Sequence, residues 1–233
     1  MPGTPLVLLP GLLTDAGLWE HQIRHLSDLA EVTVADLTGA DGVAALAARV
    51  LAGAPGRFAL AGLSMGGYVA MEILRQAPER VERLALLDTS ARPDTAEQTE
   101  RRQALIATAE EGRFAAVMPR LLPMLIPASR QEDRSLTAAL VAMAERMGPE
   151  AFVRQQRAIM GRPDSRPSLG RIRCPTLVLV GREDALTPPE RAEEMAEAIP
   201  GAKLAIVEEC GHMSTMERPQ AVTALMRMWL RYG

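Results

Sequence analysis

The stretch Gly62-Leu63-Ser64-Met65-Gly66, followed by Gly67, constrains this chain more than any other. It lies between an apolar run, Arg57 to Ala61, and a helix-like segment closed by Pro78. A serine between glycines at this spacing fits a sharp strand-to-helix turn. Side chains at 63 and 65 fit such a turn, whereas side chains at 62 and 66 collide with neighbouring backbone. The turn lifts the Ser64 hydroxyl clear of a sheet and sets it at the start of a helix, beside backbone N–H groups that have no intrahelical partner. That is a useful position for a nucleophile.

The rest of the chain supplies the rhythm this turn requires. Pro5 to Leu9 is a short continuous apolar run stopped by Pro10-Gly11, the pattern of a buried parallel strand. Further strands are expected over Glu31 to Asp36, Arg57 to Ala61, Val81 to Leu87, Thr176 to Val180 and Lys203 to Val207. Helices are expected over Thr14 to Leu29, Asp41 to Ala52, the segment opened by Ser64, Pro189 to Ala198 and Pro219 to Arg231. Alternation of this kind predicts a mostly parallel α/β sheet with helices on both faces. The rhythm breaks between Arg92 and Leu169, where helical patterns rich in Ala, Arg, Leu and Met are interrupted by prolines. Residues 92–169 therefore read as a helical cap inserted into a core formed by residues 1–91 and 170–233.

A serine nucleophile needs a base, a group that orients the base, and donors for the oxyanion. The chain has three histidines. His21 and His25 lie one turn apart on the first helix and read as surface or packing residues, with no third ligand nearby for a metal. His212 follows the last strand in Glu209-Cys210-Gly211-His212-Met213, at the sheet edge where open parallel sheets bind ligands. It is the expected base. The orienting acid is expected at Asp184, in the loop after the Thr176 strand. Asp88, at the end of the fourth strand, is the alternative, and Glu183 is expected to face solvent.

The order Ser64, Asp184, His212 is that of one serine-hydrolase architecture. With GLSMGG at 62–67, GREDALTP at 181–188 and CGHMSTMERP at 210–219, the chain resembles the α/β-hydrolase superfamily over all but the cap. The resemblance implies about six strands, largely or wholly parallel, and oxyanion donors at the backbone N–H groups of Leu12 and Met65. Two segments depart from the family's pattern. Leu9-Pro10-Gly11-Leu12 stands where a His-Gly motif is usual, which removes a side chain that braces the loop. The Asp36 to Asp41 loop is short, which implies a pocket open on one side.

Trp19 and Met213 are candidate pocket residues, with core packing the competing reading for Trp19. Met118, Met124, Met143, Met147 and Met160 in the cap read first as core residues, with an apolar acyl pocket the alternative, and Arg120, Arg154 and Arg157 read as a solvated face that could alternatively hold a substrate carboxylate. Cys174 and Cys210 have no metal-ligand spacing and read as packing residues. A net charge of −3 without a basic face argues against nucleic acid as a partner, and no apolar stretch is long enough for a bilayer. No signal peptide is read at the N-terminus, and a cytoplasmic location is expected. The expected activity is therefore a serine carboxylesterase acting on small or medium esters without metal or organic cofactor. The alternatives are a C–C-bond or enol-lactone hydrolase or lyase on the same triad, and a non-catalytic ligand sensor. The sequence carries no signal of oligomeric state.

Overall fold

In the computed structural model, which describes residues 3–232, six parallel strands form one sheet in the order β2-β1-β3-β4-β5-β6. The first half of the chain runs β1 (Thr4–Leu9), α1 (Glu20–Leu26), β2 (Ala30–Val34), α2 (Val43–Gly53), β3 (Phe58–Leu63), α3 (Met65–Gln76) and β4 (Val81–Leu87). Four helices follow without a strand: α4 (Ala96–Glu110), α5 (Val117–Leu125), α6 (Arg134–Met160) and α7 (Arg166–Leu169). The sheet then resumes with β5 (Thr176–Gly181), α8 (Pro189–Ala198), β6 (Lys203–Val207), α9 (Ser214–Glu217) and α10 (Pro219–Tyr232). No helix among the described residues is long and apolar enough to cross a membrane.

The strands form because their continuous apolar runs can be covered on both faces. Along β1 the side chains alternate. Leu6 and Leu8 join the apolar cluster shared with α1, α10 and the α4–α6 helices, while Val7 and Leu9 join the one shared with α2, α3 and α8. All four are at most 3% exposed. Burying each such side chain contributes roughly 1.5–3 kcal/mol, so the central strands anchor both layers at once.

The chain moves outward from β1 to β2, then crosses back to β3 and continues the other way. The strand order therefore reverses between β1 and β3, and the carboxyl ends of these neighbours flank a crevice. Gly11-Leu12 follows β1 and Ser64 follows β3, so the fold brings the two together at that reversal.

One expected helix is divided. In place of a single helix over Thr14 to Leu29, the Asp15 side chain accepts the Gly17 N–H at 2.8 Å and starts a short 3-10 turn, Ala16–Trp19, before α1. The short Asp36 to Asp41 loop is bonded to the helical segment that follows β4. On α6, Gln155 donates to the Leu37 carbonyl at 3.3 Å and Arg154 donates to the Thr38 carbonyl at 2.7 Å, so this helix is laid across the loop.

Candidate active site

Ser64 makes the whole reversal between β3 and α3, with φ 54° and ψ −115°. This backbone is strained for a residue with a side chain, and four hydrogen bonds hold it. Ser64 N–H donates to the Leu87 carbonyl at 3.0 Å, while the Ser64 carbonyl accepts from Gly67 N–H at 2.9 Å, Tyr68 N–H at 3.3 Å and the Thr89 hydroxyl at 2.8 Å. A Cβ at Gly62 would strike the Gly66 carbonyl, and one at Gly66 would strike that of Leu9. The glycine spacing thus answers to close backbone approach. The Ser64 side chain makes no capping bond to its own helix, so its hydroxyl is available elsewhere.

It points to His212. Ser64 Oγ lies 2.9 Å from His212 Nε2, and His212 Nδ1 lies 2.8 Å from Asp184 Oδ2. The other Asp184 oxygen, Oδ1, accepts from the N–H groups of Leu186 and Thr187, both at 2.9 Å. Asp184 Oδ2 also accepts from the Thr187 hydroxyl at 2.7 Å. Asp184 and His212 are each 2% exposed. Burial pushes the imidazole toward neutrality, but the Asp184 charge and hydrogen bond outweigh it and hold the His212 pKa above its ordinary value. Three side chains distant in sequence form one continuous relay.

Asp88 lies behind this relay without joining it. Its Oδ1 accepts the Gly181 N–H at 2.9 Å, and its Oδ2 takes the Ser214 hydroxyl in a short hydrogen bond. Complete burial, followed by the nearby Asp184 charge, pushes its carboxyl well above the usual range. The alternative acid named from sequence therefore makes no bond to the imidazole.

The loop that carries His212 has a brace inside the CGHMSTMERP segment whose role the sequence did not assign. Glu217 on α9 is 3% exposed, and its two oxygens accept the N–H groups of Gly211 at 3.0 Å and Met213 at 2.9 Å, one on each side of His212. From the opposite direction, His212 N–H donates to the Leu125 carbonyl at the end of α5, at 3.0 Å.

The N–H groups of Leu12 and Met65 find no acceptor among the described residues. Next to them, Leu13 takes φ 59° and donates its N–H to Gln155 Oε1 at 3.0 Å. A glutamine from α6 thus braces the loop where the His-Gly motif is absent. Leu12, Ser64 and His212 face a cavity of about 140 Å³. Its apolar lining comes from α5 and α6, through Met118, Leu121, Met124 and Leu140, joined by Met213 beside the imidazole. Its polar lining comes chiefly from α4, the segment before it and α8, with Thr14, Tyr68, Arg162 and Thr187 from elsewhere. Trp19 is not in this wall: it is fully buried in the apolar cluster on the α1 and α10 face. Met143, Met147 and Met160 also lie outside the wall. Arg120, Arg154 and Arg157 are turned instead to Thr108, the Thr38 carbonyl and Glu110. Cys210 is buried, and burial pushes its thiol pKa up, away from nucleophilic use. His21 and His25 stack at 4.2 Å on α1, and no group of three or more metal-ligating side chains occurs among the described residues.

The sequence model of the alpha/beta hydrolase family matches residues 6–225. The chain belongs to the alpha/beta hydrolase family. It is similar to the pimeloyl-(acyl-carrier protein) methyl ester esterase of Nitrosomonas europaea, with 26% identity over 94% of this chain and 92% of that one. Among solved structures, a malate-bound thermophilic esterase from Thermogutta terrifontis superposes with a TM-score of 0.90 and 32% identity, covering 99% of this chain and 90% of that one. The enol-lactonase of Burkholderia xenovorans LB400 gives 0.87 and 27%, covering 98% and 92%. This alpha/beta hydrolase is an enzyme, and its relatives are esterases and hydrolases.

Proposed function

We propose that this hydrolase cleaves small or medium carboxylic esters through an acyl-enzyme on Ser64. The carrying observation is the unbroken relay from Ser64 Oγ to His212 Nε2 at 2.9 Å and from His212 Nδ1 to Asp184 at 2.8 Å. In this reading His212 takes the Ser64 proton as Oγ attacks the acyl carbon. Asp184 holds the imidazole tautomer and stabilises the imidazolium that forms. The Leu12 and Met65 N–H groups receive the oxyanion, each contributing on the order of 3 kcal/mol to the transition state. His212 then protonates the leaving alcohol and activates the water that releases the acid. Residues 92–169 act as the cap that closes the cavity and selects the acyl group. A cytoplasmic location fits the two free thiols, Cys174 and Cys210.

The likeness to an enol-lactonase favours a second reading, ring opening of an enol lactone. The bond broken is again an acyl–oxygen bond, so the same residues would serve.

The test is a 4-nitrophenyl ester chain-length series with an enol-lactone arm, run on the wild type, Ser64→Ala and His212→Ala. Each variant is expected to lose at least ~10³-fold in kcat, and a fluorophosphonate should label Ser64 in the wild type alone. Retained turnover in either variant overturns the proposal. Preference for the lactone over every open ester selects the second reading.

A further inference from the structure

Five arginines line the cavity: Arg92, Arg101, Arg102, Arg162 and Arg191. No aspartate or glutamate shares the lining. Three of the five are committed to acids behind the wall. Arg92 forms a bidentate pair with Glu194 at 2.9 and 2.8 Å, and Arg102 and Arg162 both hold Asp94, at 2.7 and 2.6 Å. The guanidinium groups of Arg101 and Arg191 make no hydrogen bond and no ion pair among the described residues, the one bond at Arg191 outside its helix being from its backbone N–H to the Pro188 carbonyl at 2.8 Å. The Arg191 charge acts on Glu194 along α8, but Arg92 already occupies that carboxylate's oxygens.

These two guanidinium groups come from different layers of the fold. Arg101 is exposed on α4. Arg191 is half-buried on α8, immediately after the loop that holds Asp184. Both border the same cavity as the Ser64 hydroxyl, and α5 and α6 give that cavity a Leu- and Met-rich side. A guanidinium fork matches a carboxylate through two parallel hydrogen bonds. At the half-buried Arg191 the attraction is also stronger than on an open surface. A ligand that satisfies both regions has an ester at one end, an apolar spacer, and an anion at the other end.

We infer that the cavity takes half-esters of dicarboxylic acids, with the free carboxylate held by Arg101 and Arg191 while Ser64 attacks the ester. The assignment rests on the esterase reading above and adds its substrate class. It also moves any carboxylate recognition away from Arg120, Arg154 and Arg157, which are engaged outside the cavity.

The experiment compares 4-nitrophenyl half-esters of glutaric, adipic and suberic acids with neutral esters of the same shape, in which an isopropyl group replaces the carboxylate. For the adipate that partner is 4-nitrophenyl 6-methylheptanoate. At low ionic strength the wild type should favour at least one half-ester over its neutral partner by ~10-fold or more in kcat/KM. About 0.5 M NaCl should erode that preference. The double variant Arg101→Gln/Arg191→Gln should lose the preference, mainly through KM, while its kcat/KM for neutral esters stays within about twofold. Fluorophosphonate labelling at the wild-type rate shows that the variant keeps a folded site. Equal turnover of charged and neutral esters by the wild type, at every length, overturns the assignment and leaves the esterase reading intact. An equal loss for both ester types in the variant also overturns it. Failure of the wild type to cleave any ester or accept the label removes both.

Discussion

Asp184 and Asp88 are both fully buried carboxyls at the ends of neighbouring strands, and what separates them is where their oxygens point. Asp184 reaches His212 Nδ1 at 2.8 Å, while Asp88 is used by Gly181 N–H and the Ser214 hydroxyl. An asparagine at 184 leaves an amide against the imidazole and favours the wrong tautomer. Asp184→Asn is therefore expected to lower kcat on the order of 10⁴-fold. An asparagine at 88 still offers an oxygen to Gly181 N–H and an amide to the Ser214 hydroxyl, so Asp88→Asn should stay within about tenfold of wild type. Steady-state rates of the two variants decide this, and a larger loss at 88 reverses the roles. The imidazole also sets the pH profile. As a base it works only when neutral, and its pKa is held above the ordinary 6.5. The kcat/KM of the free enzyme should rise with pH to a midpoint above about 6.5, and Asp184→Asn should move that midpoint to lower pH. The linkage has a definite sign. A histidine whose pKa is raised on folding contributes stability that is complete below the unfolded value and is lost as pH rises through the folded value, so this increment fades over the range in which activity appears. Ser64, Asp184 and His212 were legible because each sits in a loop after a buried strand with its own turn signature. The role of Glu217 was not, although it lies inside the quoted 210–219 segment: it acts on two backbone N–H groups, and residue types along the chain do not show such bonds.

At the scale of elements, the strands were the most legible part because an apolar run covered on both faces admits few other conformations. Val81–Leu87 and Lys203–Val207 carry the bounds expected from sequence. The α4–α7 segment read as helical, and breaks fall beside Pro127, Pro149 and Pro163 but not at Pro119 or Pro123. Pro119 and Pro123 lie inside α5, whereas α6 is two helical segments joined at a kink on Gly148, just before Pro149. Gly148 takes φ 74° and ψ 172°, a region essentially closed to residues with a side chain. There is space for a methyl group at this position, the nearest atom being a Glu150 oxygen at 3.8 Å, so backbone conformation alone opposes substitution. Gly148→Ala should cost about 1–3 kcal/mol and lower Tm by roughly 2–4 °C for each kcal/mol. Leu140, in the cavity wall, and Gln155, under the oxyanion loop, lie on opposite sides of this break. The variant's KM for long acyl esters should rise along with its loss of stability. Thermal unfolding and a chain-length series check the two effects, and an unchanged Tm shows that the break relaxes without strain.

On the scale of the whole molecule, the helices α4–α7 are hydrogen-bonded into the candidate site as well as lining its cavity. The end of α5 accepts the His212 N–H, Arg130 donates to the Glu217 carbonyl at 3.0 Å, and α6 sends Gln155 between two core loops. Gln155 is 1% exposed and spans them, accepting the Leu13 N–H and donating to the Leu37 carbonyl. Leu13 directly follows the Leu12 N–H assigned to the oxyanion, so α6 sets the height of that donor. This is the physical answer to the missing His-Gly motif: the brace comes from a residue 142 positions away, a distance over which sequence spacing carries no information. Gln155→Met keeps the volume and removes both hydrogen bonds. It leaves a buried N–H and a buried carbonyl without partners, a loss of about 1–3 kcal/mol for each group left unsatisfied. If the loop then shifts, the oxyanion donor moves out of place. kcat should fall between about 10- and 10³-fold, the upper bound being complete loss of one donor, while KM for short esters changes little. A role in packing alone predicts a lower Tm with kcat intact, so measuring kcat, KM and Tm on the same variant separates bracing of the oxyanion loop from filling of the core.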